Sequence, residues 1–290
     1  MIRADYPILL DPHLAERVWA GTSLGRGIGE AWDLSVHPNG PCRVRNGALK
    51  GRTLAEVAIA CPADFGGPIK LLAKRLDCAE ELSVQVHPRE GEPKTEAWVI
   101  LRAKPGAGVY AGFALDVKAD QVRAAAKDGT LPKLLRFLPL EPGGAVFVPS
   151  GTVHAIGGGL VLFEIQQSAD TTYRLYDWGR DRDLHLEKGL QCADLGAAPP
   201  PEGPRTIAPG HTRLVSCEHF HVDRIEAESS FKVDPLGSWK AVLAVNGSVR
   251  IGAHEAAPGE TLLVPRPLGP TTLFSKHKVT ALVYGPGPGG

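Results

Sequence analysis

An all-β fold with a few short helices is what this sequence predicts, and three observations predict it. Its 25 prolines and 34 glycines are spread along all 290 residues and separate short runs rich in Val, Leu, Ile and Thr, as in a sandwich or barrel of many strands. Two stretches alternate with period two. Val161, Phe163 and Ile165 are apolar against polar Glu164, Gln166 and Ser168, and Leu82, Val84 and Val86 are apolar against Ser83, Gln85 and His87. Helical patterning is confined to Leu54 to Ile59, Ala119 to Lys127 and Leu131 to Arg136.

Charge and cysteine usage narrow the function classes. Lys plus Arg equals Asp plus Glu at 32 each, which leaves no net field for nucleic acid or an acidic membrane surface. Arg3, Asp5, Asp11, Glu16 and Arg17 interrupt the N-terminal stretch, so no signal peptide or membrane span is expected there and a cytoplasmic protein is. The five cysteines have no CxxC spacing, which argues against a disulfide framework and a cysteine zinc site.

Near the N-terminus, GEAWDLSVHPNGP at Gly29 to Pro41 reads as a strand followed by an HPNG turn, with Trp19 and Trp32 as core aromatics. In Ile69 to Ile100 the strand Leu82 to His87 is followed by a polar turn and by KTEAW. There Lys94, Glu96 and Trp98 share a face, and a hairpin brings Gln85, His87 and Glu96 together. Further on, Pro149-Ser150-Gly151 forms a tight turn that delivers His154, and Gly157 to Gly159 reverse the chain. If the register of Val161 to Ser168 continues, Asp170, Thr172 and Arg174 join its polar face, an expensive surface unless it lines a cavity. Gln85, His87, Glu96 and His154 together offer two nitrogens and two oxygens, a set suited to a divalent first-row metal and most naturally to zinc. One carboxylate among neutral donors leaves such an ion Lewis-acidic, as a catalytic site needs.

Gly196 to Pro204, GAAPPPEGP, has neither helix nor strand potential and divides a catalytic domain, 1–196, from a smaller β domain, 205–290. In the latter, AVNGSVRIGAHEAAPGETLLVPRP repeats the hairpin, Pro-Gly turn and strand-Pro ending of the first half. No histidine follows Val264-Pro265, and His219 and His221 lack a carboxylate on a paired strand, so no metal is expected there.

The segment PGGAVFVPSGTVHAIG resembles the second motif of the cupin barrels, which makes two jelly-roll barrels the expected architecture. QVHP at Gln85 to Pro88, KTEAW at Lys94 to Trp98, PSGTVHAIG at Pro149 to Gly157 and EIQQSADTTYRLYDWGR at Glu164 to Arg180 are similar, in this order, to the type I mannose-6-phosphate isomerases of the short bacterial form. Long-form members have a tyrosine where Ile156 stands and carry an inserted helical domain that this chain lacks. The resemblance implies one zinc per chain on Gln85, His87, Glu96 and His154, a catalytic Arg174, Lys94 and Asp170 in proton transfer, and Lys74, Ser83 and Glu164 facing the sugar phosphate. It implies aldose-ketose isomerisation of mannose 6-phosphate and fructose 6-phosphate through an enediol, with Lys94, Asp170, Glu164 and a metal-bound water all able to serve as base. Two rivals share the scaffold: a cupin dioxygenase holding Fe²⁺, and a sugar-binding barrel without turnover.

Overall fold

The computed structural model describes residues 2–289. Strands dominate and helices are few and short. Leu54–Ala60 begins at a capping box in which Thr53 accepts from the Glu56 amide while the Glu56 carboxylate accepts from the Thr53 amide. Ala119–Asp128 forms the second expected helix. The third reduces to a 3-10 turn at Leu131–Leu134, because Leu135–Pro139 pairs with Gly108–Phe113 as an edge strand instead. No helix among the described residues is long and apolar enough to cross a membrane.

The strands form sheets of eight, six, five and four strands. Among the described residues none of these sheets closes on itself, so the two jelly-roll barrels expected from the sequence are not confirmed as barrels. Facing sheets enclose the cores instead. Period-two alternation gives each strand one apolar face, and two such faces stacked together exclude water as well as a closed barrel does.

Two compact units form, and they alternate along the chain rather than dividing once between 196 and 205. One holds residues 15–30 and 75–202, its core built from Leu76, Trp98, Ile100, Val146, Val148, Leu160 and Leu162 against Val109 and Ile156. The other holds residues up to 14, residues 31–74 and those from 203 onward. In it Ile8–Asp11 pairs with Thr261–Val264 on one side and with Arg43–Val44 on the other, so N-terminal strands complete a C-terminal sheet. Leu9 enters the same core as Val242, Leu262 and Val283. A fragment of residues 205–290 therefore leaves Thr261–Val264 as an uncovered edge, and it is expected to be unfolded or aggregated, which circular dichroism and gel filtration would read. A monomeric fragment with a cooperative melt would contradict this.

His221, in Phe220–Ala227 of that unit, is held down at a pKa of about 4 by burial and then by the charge of Lys240. An unfolded histidine titrates near about 6.5, so between the two values the unfolded chain binds the extra proton. Stability from keeping His221 neutral is thus fully present above about pH 6.5 and declines as pH falls toward about 4, by on the order of 3 kcal/mol. Denaturant midpoints measured across this range for wild type and His221→Gln should converge at acid pH. A constant difference would show that His221 is not the titrating group.

Candidate metal centre and active site

Two sheets of one compact unit supply the site. Val84–Val86 runs between Tyr173–Tyr176 and His154–Ile156, with Arg174 opposite Gln85 and Gln85 opposite His154. Directly opposed residues share a face, so these three form a row. The other sheet contributes Glu96, first residue of Glu96–Ala103, opposite Val148 and Gln166. No hairpin joins 84–86 to 96–103, contrary to expectation; the strands belong to different sheets, and the segment between His87 and Lys94 crosses from one to the other. That crossing sets His87 and Gln85 against Glu96.

The turn ahead of His154 forms as expected, closed by the Thr152 amide donating to the Pro149 carbonyl at 3.1 Å. Gly151 has φ of +88°, and a Cβ there would collide with the Arg89 guanidinium, so the turn requires glycine. The expected continuation of register past Ser168 does not occur. The strand Leu160–Gln167 ends where Gln166 Nε2 donates to the Gln167 and Ala169 carbonyls, at 3.0 and 2.8 Å, and Arg174 reaches the site from a strand of the other sheet.

His87, Glu96 and His154 are each 1% exposed, with ligand atoms within 4.8 Å of one another. His87 Nδ1 donates to the Thr171 carbonyl at 2.9 Å and His154 Nδ1 to the Thr152 carbonyl at 2.8 Å. A carbonyl can only accept, so in the neutral rings both Nε2 atoms carry lone pairs. Those lone pairs face the Glu96 carboxylate, at 3.3 Å to Oε2 from His87 and 3.3 Å to Oε1 from His154. Glu96 Oε1 is buried and has no hydrogen-bond partner among the described residues. Between Glu96 Oε1 and His154 Nε2 no proton stands, so two lone pairs 3.3 Å apart repel in a site this dry, and a divalent cation relieves that repulsion. The donor chemistry thus fits a metal.

Lys94 supplies a nearby positive charge, with Nζ 2.8 Å from Glu96 Oε2 and 3.1 Å from His87 Nε2. Its amide donates to Ser150 Oγ at 2.9 Å, which ties it to the His154 turn. Burial, the largest single influence, pulls the Glu96 carboxyl upward, but Lys94, His87 and His154 together hold the group well below the usual carboxylate range. Burial and then Lys94 push His87 down to about 4, and burial lowers His154, so both imidazoles are neutral at neutral pH. Gln85 places Nε2 3.3 Å from His154 Nε2, while its Oε1 accepts from Ser83 Oγ at 3.1 Å. A half-turn of the amide exchanges the two ends.

Glu164 is buried and accepts from Trp98 Nε1 at 3.1 Å, and the Trp98 ring meets His154 edge-on at 5.5 Å between centroids. Ser83 touches Gln85, as above. Asp170 is exposed in the irregular stretch 168–172, and Lys74 is buried with Nζ 4.9 Å over the Trp32 ring.

The sequence reading passed over a set of guanidiniums beside Arg174. Buried Asp177 accepts from Arg180 at 2.9 Å and from Arg182 at 2.6 Å, so two cations surround one carboxylate. Arg174 Nη1 donates to the Asp183 carbonyl at 2.7 Å, and its buried Nε has no partner among the described residues. Burial, then Arg182 and Arg180, lower the Arg174 pKa, as expected where positive charge is in excess. The DWGR sequence following Arg174 was the available signal.

The description "Phosphomannose isomerase type I, catalytic domain" matches residues 22–107. A mannose-6-phosphate isomerase of Streptococcus mutans is 34% identical over 89% of this chain and 92% of its own length. The crystal structure of mannose 6-phosphate isomerase from Bacillus subtilis superposes with a TM-score of 0.86 at 30% identity, covering 96% of this chain and 99% of that one. A zinc-bound mannose 6-phosphate isomerase structure shares the fold, with a TM-score of 0.78 at 15% identity over 95% of this chain and 98% of that one.

Proposed function

The chain belongs to the type I phosphomannose isomerase family, and on that premise we propose that it interconverts mannose 6-phosphate and fructose 6-phosphate at the His87, Glu96 and His154 cluster. One observation carries the reading. A buried acid is flanked by two neutral imidazoles with an orphaned carboxylate oxygen between them, and one of those imidazoles, His154, stands in register through Gln85 with an arginine whose guanidinium is bonded to a backbone carbonyl. His87, Glu96 and His154 would hold one zinc ion per chain, and Gln85 would join them through its amide oxygen once that amide is turned; the zinc-bound relative supports the choice of metal. When bound, such an ion supplies Lewis acidity toward the sugar oxygens.

The remaining chemistry belongs to the chain. The reaction moves a proton between C2 and C1 through an enediol, so it needs an acid-base group and a site for the charge developing on oxygen. Arg174 is the fixed positive charge for that oxygen. Its guanidinium carries no proton to spare at neutral pH and acts by electrostatics. Lys94, held by Glu96 and by the Ser150 contact, is the proton-handling side chain nearest the cluster, and Glu164, fixed by Trp98, is the second. Asp170, exposed beside the Thr171 carbonyl that orients His87, is the third candidate. The guanidiniums of Arg174, Arg180 and Arg182 suit a phosphorylated sugar, with Ser83 as a further contact.

In a coupled assay with mannose 6-phosphate, purified protein is expected to form fructose 6-phosphate, to fall to background after dialysis against a chelator, and to recover with one equivalent of zinc. Full turnover in chelator would exclude the metal. Oxygen consumption restored by Fe²⁺, without isomer formation, would instead identify a dioxygenase.

A further inference from the structure

The C-terminal strands carry a charged cluster that sequence reasoning dismissed. Asp223 sits two residues from His221 on the same strand and accepts from Arg213 through both oxygens, Nε on Oδ1 and Nη2 on Oδ2 at 3.1 Å. His211 Nε2 stands 3.1 Å from Oδ2. The carboxylate is therefore fully engaged.

Lys240 is not. It is only 7% exposed, and no hydrogen bond or ion pair joins it to any described residue. Its strand, Lys240–Asn246, pairs with Val279–Pro286 with Ala241 opposite Tyr284, and His221 is opposite Gly285 on the far side. The Lys240 side chain consequently lies across Gly285: a Cβ at 285 would be 2.9 Å from Lys240 Cδ and 3.2 Å from Nζ. The missing side chain leaves His221 and Lys240 facing one another, with Asp223 two residues further along the His221 strand and Arg213 opposite Asp223 on the neighbouring strand His211–Ser216. Arg213 keeps a spare donor, Nη1, whose contact with Ser216 Oγ is a long 3.4 Å.

Buried ammonium groups are ordinarily paired, because an unpaired charge in low dielectric costs several kcal/mol. Asp234, the other carboxylate that acts on Lys240, is exposed and too remote to bond it. We propose that Lys240 and the spare Arg213 amine form an anion site, walled by the neutral His221 ring, that takes a phosphate group, either inorganic phosphate or the phosphate of a small metabolite. The two donors come from different strands, and an ammonium and a guanidinium together favour a multiply charged oxyanion with several acceptor oxygens. Burial and the neighbouring Asp223, Arg213 and Asp234 leave the Lys240 amine lowered overall, and His221 is lowered with Lys240 as a cause, as expected of a cation set short of negative charge. The residues are confined to the unit that lacks the His87, Glu96 and His154 cluster, so the site is independent of the isomerase reading.

The test is equilibrium dialysis of the full metal-loaded chain against inorganic phosphate and, in a separate arm, glycerol 3-phosphate, with chloride holding ionic strength. Wild type should bind one more anion per chain than Lys240→Met, with a loss of about tenfold or more in affinity for that site, while Lys240→Arg retains it. Preference between the two probes identifies the source. Turnover of mannose 6-phosphate should be the same in all three proteins, since none of the substituted positions is in the isomerase machinery. As a check that does not depend on a variant folding, the methylated Lys240 signal in carbon NMR should shift on adding phosphate to wild type. Equal stoichiometry in wild type and Lys240→Met, or a Lys240 signal indifferent to phosphate, would overturn the proposal and leave Lys240 as a neutral buried amine.

Discussion

Glu96→Gln is expected to purify without stoichiometric zinc and without isomerase activity. The substitution keeps the shape of the side chain but removes the sole anion among the proposed ligands, so metal affinity should fall by more than about 100-fold, the upper end of the loss seen when only a supporting partner is removed. A second consequence must be separated from the first. Lys94 Nζ lies 2.8 Å from Glu96 Oε2 and both groups are buried, so deleting the carboxylate strands an ammonium, a change that costs roughly 3–5 kcal/mol. A loss of that size could abolish activity through unfolding alone. The double variant Lys94→Met/Glu96→Gln removes the stranded charge, and it should regain much of the melting temperature while still failing to retain zinc. Stoichiometric zinc in a folded Glu96→Gln protein would remove this carboxylate from the ligand set.

The legibility of the fold follows from how local its causes are. Alternation in Leu82 to His87 and Val161 to Ser168 found both strands, because period two reports burial directly. It could not reveal which strands pair. A short polar segment between two strands reads as a hairpin, but that between His87 and Lys94 crosses sheets because Val84–Val86 finds its partners in Tyr173–Tyr176 and His154–Ile156, distant in sequence. The helix Leu186–Cys192 went unread for a related reason. Gly189 argues against a helix locally, yet a Cβ there would strike Leu175, so glycine is demanded by packing that only the folded chain possesses. The metal-ligand candidates were legible as residue types, since His87, Glu96 and His154 lie within recognisable motifs. Their supporting atoms were not: the Thr171 and Thr152 carbonyls that fix the imidazoles are backbone groups, and any residue could supply them. Asp177 was passed over because its importance lies in being buried between Arg180 and Arg182, which linear sequence does not display.

Arg174→Lys is expected to fold, to bind zinc normally and to lose roughly 10²-fold or more in kcat, the scale observed when one preorganised donor to a developing oxyanion is removed. The register places Arg174 one strand from Gln85 and two from His154, on the same face. A purely structural role would require a carboxylate partner such as Asp170 or Glu164. Instead the guanidinium is anchored by a backbone carbonyl, that of Asp183 at 2.7 Å, with Nε left unbonded among the described residues, while Asp177 is taken by Arg180 and Arg182. Lysine preserves the charge but not the planar fork, and its flexible stem cannot hold one donor on the Asp183 carbonyl while directing another at substrate. The loss should therefore fall on kcat more than on KM, and the melting temperature should change little, since the residue is half-buried and its ground-state anchor is one hydrogen bond worth about 1 kcal/mol. Measuring kcat, KM, zinc content and melting temperature on this one variant separates chemistry from scaffolding. A protein that melts several degrees lower but turns over at the wild-type rate would show that Arg174 holds the Tyr173–Tyr176 strand in place and leaves the enediolate charge to other groups.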